Sequence, residues 1–206
     1  MPQSRRYKKK KSAGKAILAW IIVLAILAAA VFVFVSVFYE DTKKKLDEMN
    51  YPRTYSTYVE KAAKDYDLDP ALIYAVIHTE SGFDPNAESS VGAKGVMQMM
   101  PSSFEWLQEQ RGCAGQYTED DLFDPEICID YGSYLLKYFY DYYGTERSAI
   151  AAYNAGFVVS DWLNDTKYSS DGKNLDSIPY PETENYVDKV EGAKEMYIKL
   201  YYSQSN

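Results

Sequence analysis

Apolar positions divide the chain into one long uninterrupted run and a series of helix-length segments. Residues 16–39 carry no charged side chain. Further along, apolar residues recur at spacings of three and four, the period of one face of an α-helix. We find no internal repeat, and no alternating pattern typical of a strand persists beyond a few residues. The pattern predicts an all-α domain with helices over residues 58–65, 69–81, 102–110, 126–143, 148–155 and 182–202.

The uncharged run is long enough to span a bilayer, because about 20 apolar residues cross one as a helix. The preceding residues 1–15 include seven basic residues and no acidic one, a bias that predicts a cytoplasmic N-terminus. We therefore expect a basic cytoplasmic tail (1–15), a single transmembrane anchor (16–39), a stalk (40–54) and a folded domain (55–206) outside the cell membrane. A cleaved signal peptide is the alternative, since residues 28–30 are three alanines, but the apolar run continues beyond them.

The charge distribution restricts the classes of partner that the outer domain can bind. Beyond the basic tail the chain holds 15 basic and 30 acidic residues, and such an acidic domain is a poor nucleic-acid binder. With one histidine and no C-x-x-C pair, the sequence predicts no metal site. Cys113 and Cys128 would lie outside the cytoplasm, where a disulfide is permitted. The sequence leaves open whether they are bonded or are two free core cysteines.

Tyrosine is frequent, with 21 residues in the chain. A tyrosine ring can stack on a sugar while its hydroxyl forms a hydrogen bond. Helical spacing nevertheless predicts that most of these tyrosines are half-buried in the core, and that only two or three contact a ligand.

The helix predicted over residues 69–81 carries a carboxyl group at its C-terminal end. Ile73, Val76 and Ile77 share one helical face with Glu80, and Gly82 ends the helix directly afterwards. An apolar environment and the negative end of the helix dipole both raise the pKa of a carboxyl group. A carboxyl still protonated near neutral pH is what a general acid requires. The alternative is an ordinary surface glutamate at the border of its helix.

Four short motifs follow one another along the chain: ES at 80–81, GVMQMMP at 95–101, AYNAG at 152–156 and ETENYV at 182–187. Their order and separations make residues 55–202 resemble the catalytic domain of the soluble lytic transglycosylases, relatives of goose-type lysozyme. The resemblance implies a lysozyme-like all-α domain, here preceded by the transmembrane helix. It also implies cleavage of the β-1,4 bond between N-acetylmuramic acid and N-acetylglucosamine in peptidoglycan glycan strands, leaving 1,6-anhydromuramic ends, with no cofactor.

The resemblance also suggests roles for the matching residues. Glu80 matches the catalytic glutamate. The family often has a second glycine shortly after the third motif, as in AYNAG-x-G, whereas Phe157, Val158 and Val159 follow the motif here. Glu184 stands at a position where a basic residue is common in the family. The positions that match substrate-binding residues of the family are Ser81, Ser89, Gln98, Met100, Tyr153, Asn154, Glu182 and Tyr186.

The resemblance implies a single catalytic carboxylate, whereas most glycosidases use two. Asp84, Glu88 and Glu105 are near Glu80 in sequence but are better explained as surface residues. One acid suffices if the substrate's N-acetyl carbonyl stabilises the charge at C1 and its own C6 hydroxyl attacks. Two alternatives remain: a hydrolase of the same fold, which a well-placed Asp84 would favour, and a non-catalytic glycan-binding or scaffold protein of the envelope.

Overall fold

The computed structural model describes residues 4–203 of the 206-residue chain, with side chains from residue 14 onward. Residues 1–3 and 204–206 lie outside the described part, as do the side chains of residues 4–13, which include most of the basic tail and its charges. The chain forms two compact units, one ending at Asn50 and the other beginning at Tyr51. We describe each unit by itself.

The first unit is one continuous helix, α1 (Ser4–Asn50). In the described part of the chain it is the one helix long and apolar enough to cross a membrane. Its apolar side chains are exposed, with Trp20 at 69% and Phe32 at 73%. A helix of 47 residues is about 70 Å long, whereas the hydrocarbon layer of a bilayer is about 30 Å thick. The apolar run is therefore flanked by further helical turns that carry polar side chains.

The second unit is built from helices, and within the described residues it contains isolated β-bridges but no strand. Every helix expected from the apolar period is present, and its ends lie within two residues of the predicted ones when the π-helical turn after the last helix is counted with it. Three short elements were not predicted: 3-10 turns at Glu119–Phe123 and Gly156–Val158, and the helix α7 (Val159–Asn164). The helices are α2 (Ser56–Tyr66), α3 (Pro70–Glu80), α4 (Pro101–Gln110), α5 (Pro125–Tyr143), α6 (Glu146–Ala155), α7 (Val159–Asn164) and α8 (Pro181–Tyr197), which continues as a π-helical turn at Ile198–Tyr202.

Helix α3 lies at the centre of the core. Asp69 caps it by accepting a hydrogen bond from the backbone N–H of Ala71 at 2.9 Å, and Pro70 fills its first position, where no N–H is needed. All of residues 71–77 are buried, so the helix is enclosed on every side rather than on one face only. It packs against α2 and α8, while α6 packs against α5 and α8. The end of α3 is thereby fixed by neighbours on several sides.

One predicted core position is wrong. Along α5 the spacing of three and four extends to Tyr142 and predicts that it faces inward, but its side chain is 58% exposed. It lies in the last turn of α5, next to Gly144, where the helix reaches the edge of the unit. The apolar period therefore holds for the body of α5, represented by buried Tyr131 and Phe139, and fails at its end.

The loop between α3 and α4 depends on a close backbone approach at Gly95. Its φ is +75°, and a Cβ atom there would lie 2.0 Å from the carbonyl oxygen of Leu122 and 2.9 Å from the Sγ of Cys128. Only a residue without a side chain fits such a position. The approach lets the following residues Val96 and Met97 reach full burial.

We predict that Gly95→Ala lowers the free energy of unfolding by about 3 kcal/mol or more, because the added methyl group meets backbone and must displace the loop. The matched control is Gly112→Ala, which has φ +69° but open space around the added atom. That substitution should cost only about 1–2 kcal/mol, the price of a left-handed backbone at a non-glycine residue. Thermal unfolding of the detergent-solubilised chain measures both, and equal losses would contradict this account of Gly95.

Candidate active site

Glu80 is the last residue of α3, and its carboxyl group is partly buried at the end of the enclosed helix. Its Oε1 accepts a hydrogen bond of 2.6 Å from the hydroxyl of Tyr186 on α8. Burial raises the pKa of Glu80 to about 7, although the hydrogen bond from Tyr186 acts in the opposite direction by favouring the ionised form. Near neutral pH this carboxyl group is therefore present in both protonation states.

Neutral groups surround the carboxyl group of Glu80. Besides Tyr186, the hydroxyl of Tyr153 on α6 and the thiol of Cys128 on α5 lie close enough to feel its charge. Burial raises the pKa of both tyrosines well above the ordinary value and the pKa of Cys128 to about 12. All three groups thus keep their protons at neutral pH, and Glu80 is the one among them that titrates there.

The carboxylates that are near Glu80 in sequence do not contribute to the shift of its pKa. Asp84, Glu88 and Glu105 are exposed, as expected for surface residues. Burial is what raises the pKa of Glu80, with no contribution from a second carboxylate in the described part of the chain. Among residues 14–203, no three histidine, cysteine, aspartate or glutamate side chains converge as a metal ion would require.

Two of the residues predicted to bind substrate fasten the loop that follows α3. The Ser81 hydroxyl donates to the carbonyl of Val96 at 2.8 Å. The Nε2 of Gln98 donates to the carbonyls of Ala87 and Gly95, each at 3.0 Å. Gln98 also has a φ of +48°, which is uncommon for a residue with a side chain. Ser81 thus ties the GVMQ segment to the end of α3, and Gln98 ties the same segment to Ala87 in the intervening loop.

Tyr153 and Asn154 join neighbouring elements around the site. The Tyr153 hydroxyl donates to the carbonyl of Met97 at 2.9 Å, which connects α6 to the loop. The Oδ1 of Asn154 accepts a hydrogen bond of 2.7 Å from the hydroxyl of Thr183, which connects α6 to α8. Thr183 was not singled out from the sequence, although it lies inside the ETENYV motif and is buried.

The remaining three predicted residues make no described hydrogen bond to Glu80. The Ser89 hydroxyl accepts from the backbone N–H of Ala93 at 2.9 Å within the loop. Met100 is 39% exposed at the residue before α4, and Glu182 is exposed in the first turn of α8. The structure therefore shows interactions of Tyr186 and Tyr153 with Glu80, and none among its described contacts for these three.

The possible disulfide is not formed, so the alternative of two free cysteines describes the structure. The buried Cys128 Sγ accepts a hydrogen bond from the backbone N–H of Met97 at 3.4 Å, beneath the loop. The Cys113 Sγ lies 3.3 Å from the hydroxyl of Tyr131. The two thiols are thus engaged in different surroundings.

This chain is similar to known proteins in sequence and in fold. Residues 57–175 match the family model "Transglycosylase SLT domain". The chain belongs to this family. The structure superimposes on the 70 kDa soluble lytic transglycosylase from Escherichia coli with a TM-score of 0.67 and 27% identity, covering 77% of this chain and 26% of that one. An all-α, lysozyme-like SLT fold is thereby confirmed.

Two curated relatives are similar in sequence to this chain over most of its length. The soluble lytic murein transglycosylase of Escherichia coli is 32% identical over 146 residues, which is 69% of this chain and 23% of the relative. The membrane-bound lytic murein transglycosylase C of Actinobacillus succinogenes is 30% identical over 170 residues, 72% of this chain and 48% of the relative. The chain thus spans about a quarter to a half of these relatives.

The raised pKa of Glu80 predicts a stability effect in the SLT domain. Because the folded state holds this proton more tightly than the unfolded state, the stabilisation is complete below the unfolded pKa of about 4.5 and is lost as the pH rises through about 7. Glu80→Gln cannot ionise. We therefore expect it to raise the free energy of unfolding at pH 8 by about 1–3 kcal/mol relative to wild type.

The measurement is thermal unfolding at pH 4.5 and pH 8. At pH 4.5 the variant and wild type should differ little, since both side chains are neutral there. The exposed Glu105→Gln serves as the control and should show no such pH-dependent gain. A Glu80→Gln variant that is equally stable relative to wild type at both pH values would refute a buried, proton-retaining carboxyl group.

Proposed function

We propose that this chain is a membrane-anchored peptidoglycan lytic transglycosylase in which Glu80 is the only catalytic acid and base. The observation that carries the proposal is the partly buried Glu80 carboxyl, with a pKa of about 7 and a neutral hydroxyl donor at Oε1. Membership of the SLT family and the names of the relatives support the same activity. The substrate would be the glycan strands of peptidoglycan.

The geometry suits an acid that later acts as a base. Since Oε1 accepts from Tyr186, the proton of the neutral form belongs on Oε2, and this proton is donated to the glycosidic oxygen as its bond to C1 breaks. The resulting carboxylate is then stabilised by the Tyr186 hydrogen bond. It next removes the proton from the C6 hydroxyl of the same muramic residue, so Glu80 finishes the cycle protonated, as it began.

The substrate supplies what a second carboxylate would otherwise provide. Its N-acetyl carbonyl stabilises the positive charge at C1, and the oxygen of its C6 hydroxyl forms the new bond to C1. The C1–oxygen bond to the leaving sugar is exchanged for a C1–O6 bond, and no water is consumed. The attack is intramolecular and benefits from a high effective concentration.

The anchor would hold the domain near its substrate. The seven basic residues that precede the apolar segment favour a cytoplasmic N-terminus and a single crossing by residues 16–39. Residues from about 40 onward would then lie outside the membrane, facing the cell wall. Tethering raises the local concentration of the enzyme at wall close to the membrane.

We predict that Glu80→Gln reduces digestion of purified cell walls by at least about a thousandfold, because one group supplies both proton transfers. The variant should remain folded, since the amide retains the shape of the carboxyl group and accepts the Tyr186 hydrogen bond. Turbidity loss of a wall suspension measures the activity, with Glu105→Gln as the matched control. Retained activity in Glu80→Gln would refute the mechanism.

Mass spectrometry of the released muropeptides identifies the reaction. The proposal predicts 1,6-anhydromuramic ends. Products heavier by one water would instead identify a hydrolase of the same fold. A wild-type chain that binds walls and releases no product would identify a non-catalytic glycan-binding protein.

The proposed topology predicts the behaviour of C-terminal fusions. An alkaline phosphatase fused after residue 206 should be active in cells, because this reporter requires the oxidising exterior for its disulfides. Exchanging the basic residues of the tail for glutamate should reduce that activity, since the bias of positive charge sets the orientation. An inactive reporter on the wild-type chain would contradict the orientation.

A further inference from the structure

The residues that follow the anchor helix, 51–55, are packed into the second unit. We call residues 51–55 the strap. The family match begins at residue 57, so the strap lies before the part of the chain that is matched to the SLT family. Nothing in its sequence motifs assigns it a role. Its contacts nevertheless reach the two stretches of chain on either side of Glu80.

The C-terminal part of the unit holds the strap by its backbone. The Tyr197 hydroxyl donates to the carbonyl of Pro52 at 3.1 Å, and the Tyr201 hydroxyl donates to the carbonyl of Tyr51 at 2.8 Å. The guanidinium group of Arg53 lies 5.3 Å from the centre of the Tyr201 ring, within the range of a cation–π contact. Three consecutive strap residues are thus fastened to α8 and the turn that follows it.

The strap in turn contacts the chain on both sides of Glu80. The Tyr51 ring stacks on the imidazole of His78, with ring centres 4.9 Å apart and planes 15° from parallel. The Tyr55 hydroxyl donates to the carbonyl of Phe83 at 3.4 Å. His78 precedes Glu80 by two residues and Phe83 follows it by three. These two contacts therefore bracket the end of the helix that carries the carboxyl group.

The loop after Glu80 has a conformation that needs such support. Gly82 has φ +60° and Phe83 has φ +71°, so two successive residues are left-handed. This conformation is costly for phenylalanine and persists only where surrounding contacts impose it. The Phe83 ring is 7% exposed and lies 6.4 Å, centre to centre, from the rings of Tyr74 and His78. His78 thus joins the strap to the buried ring.

We propose that Tyr51 and Tyr55 are positioning residues for Glu80, and that the strap holds the last turn of α3 and the following loop so that the carboxyl group stays buried beside Tyr186. The inference rests on the proposed function only in taking Glu80 as the acid. It makes the connection to the anchor a part of the catalytic unit. A fragment starting at residue 56 would retain every family motif and lose this support.

Loosening the strap has a defined electrostatic consequence. When the end of α3 moves, water reaches the Glu80 carboxyl group, the charged form is better solvated, and its pKa falls. The other titratable groups described near it are Tyr186, Tyr153 and Cys128. They remain neutral near pH 7, so they cannot raise the pKa of Glu80 in place of burial. A smaller fraction of Glu80 is then protonated at neutral pH, and the high-pH limb of the activity profile moves to lower pH.

The direct test is hydrogen–deuterium exchange, by mass spectrometry, on the full chain in detergent. Tyr51→Ala removes the stacking partner of His78, and the amides of residues 78–84 should then exchange about tenfold faster through local opening. Tyr55→Phe removes only the hydroxyl group and should give a smaller increase in the same peptide. The matched control is Tyr66→Ala, which also removes a packed tyrosine outside the strap. The native Tyr66 hydroxyl donates to Asp130 at 2.5 Å, and its ring packs on Tyr134.

The pH profile of wall digestion is the second readout. In Tyr51→Ala the high-pH limb should lie at lower pH than in wild type, whereas Tyr66→Ala should keep the wild-type profile even if it is less stable. Unchanged exchange at residues 78–84 in both strap variants, or an equal increase in Tyr66→Ala, would overturn the inference. A wild-type chain that digests no wall would refute the proposed function, while the exchange data would still decide whether the strap holds this segment.

Discussion

The free-energy cost of ionising a carboxyl group at the end of an enclosed helix is the constraint on which the site depends. Helix α3 is buried along residues 71–77, so the chain delivers Glu80 to a place where water has little access. Burial there raises the pKa to about 7. The hydrogen bond of 2.6 Å that Tyr186 donates limits this rise and leaves a carboxyl group that exchanges its proton easily near neutral pH.

The rest of the SLT domain serves to keep that position dry and defined. Helix α8 supplies the Tyr186 hydroxyl, and α6 supplies Tyr153, whose hydroxyl donates a hydrogen bond to the Met97 carbonyl of the loop. The close approach at Gly95 lets this loop lie against the helices. Because the tyrosines near the carboxyl group stay neutral, they provide hydrogen bonds without adding a competing charge. Within the described part of the chain, the arrangement is that of one acid among neutral groups rather than of a carboxylate pair.

The sequence predicts the body of this fold well, because its long helices each bury a face and the apolar period records that face. It does less well where an element is too short to show a period, as at Glu119–Phe123. It is wrong for Tyr142, since periodicity continues to the helix end while burial does not. Local pattern places the carboxyl group of Glu80 at a helix end, but its partner Tyr186 is 106 residues away and was identified only through family resemblance. The contacts of Tyr51 and Tyr55 could not be predicted from the sequence, because the composition of a polar linker does not indicate which surface it packs against.

The central claim is that Glu80 retains its proton near neutral pH. Carbon-13 NMR of the chain labelled at glutamate side-chain carboxyl carbons tests it most directly, with the Glu80→Gln variant identifying the resonance. The account predicts one carboxyl resonance that titrates with a midpoint near pH 7 and is missing from the variant. A Glu80 resonance that titrates near the ordinary value of about 4.5 would contradict it.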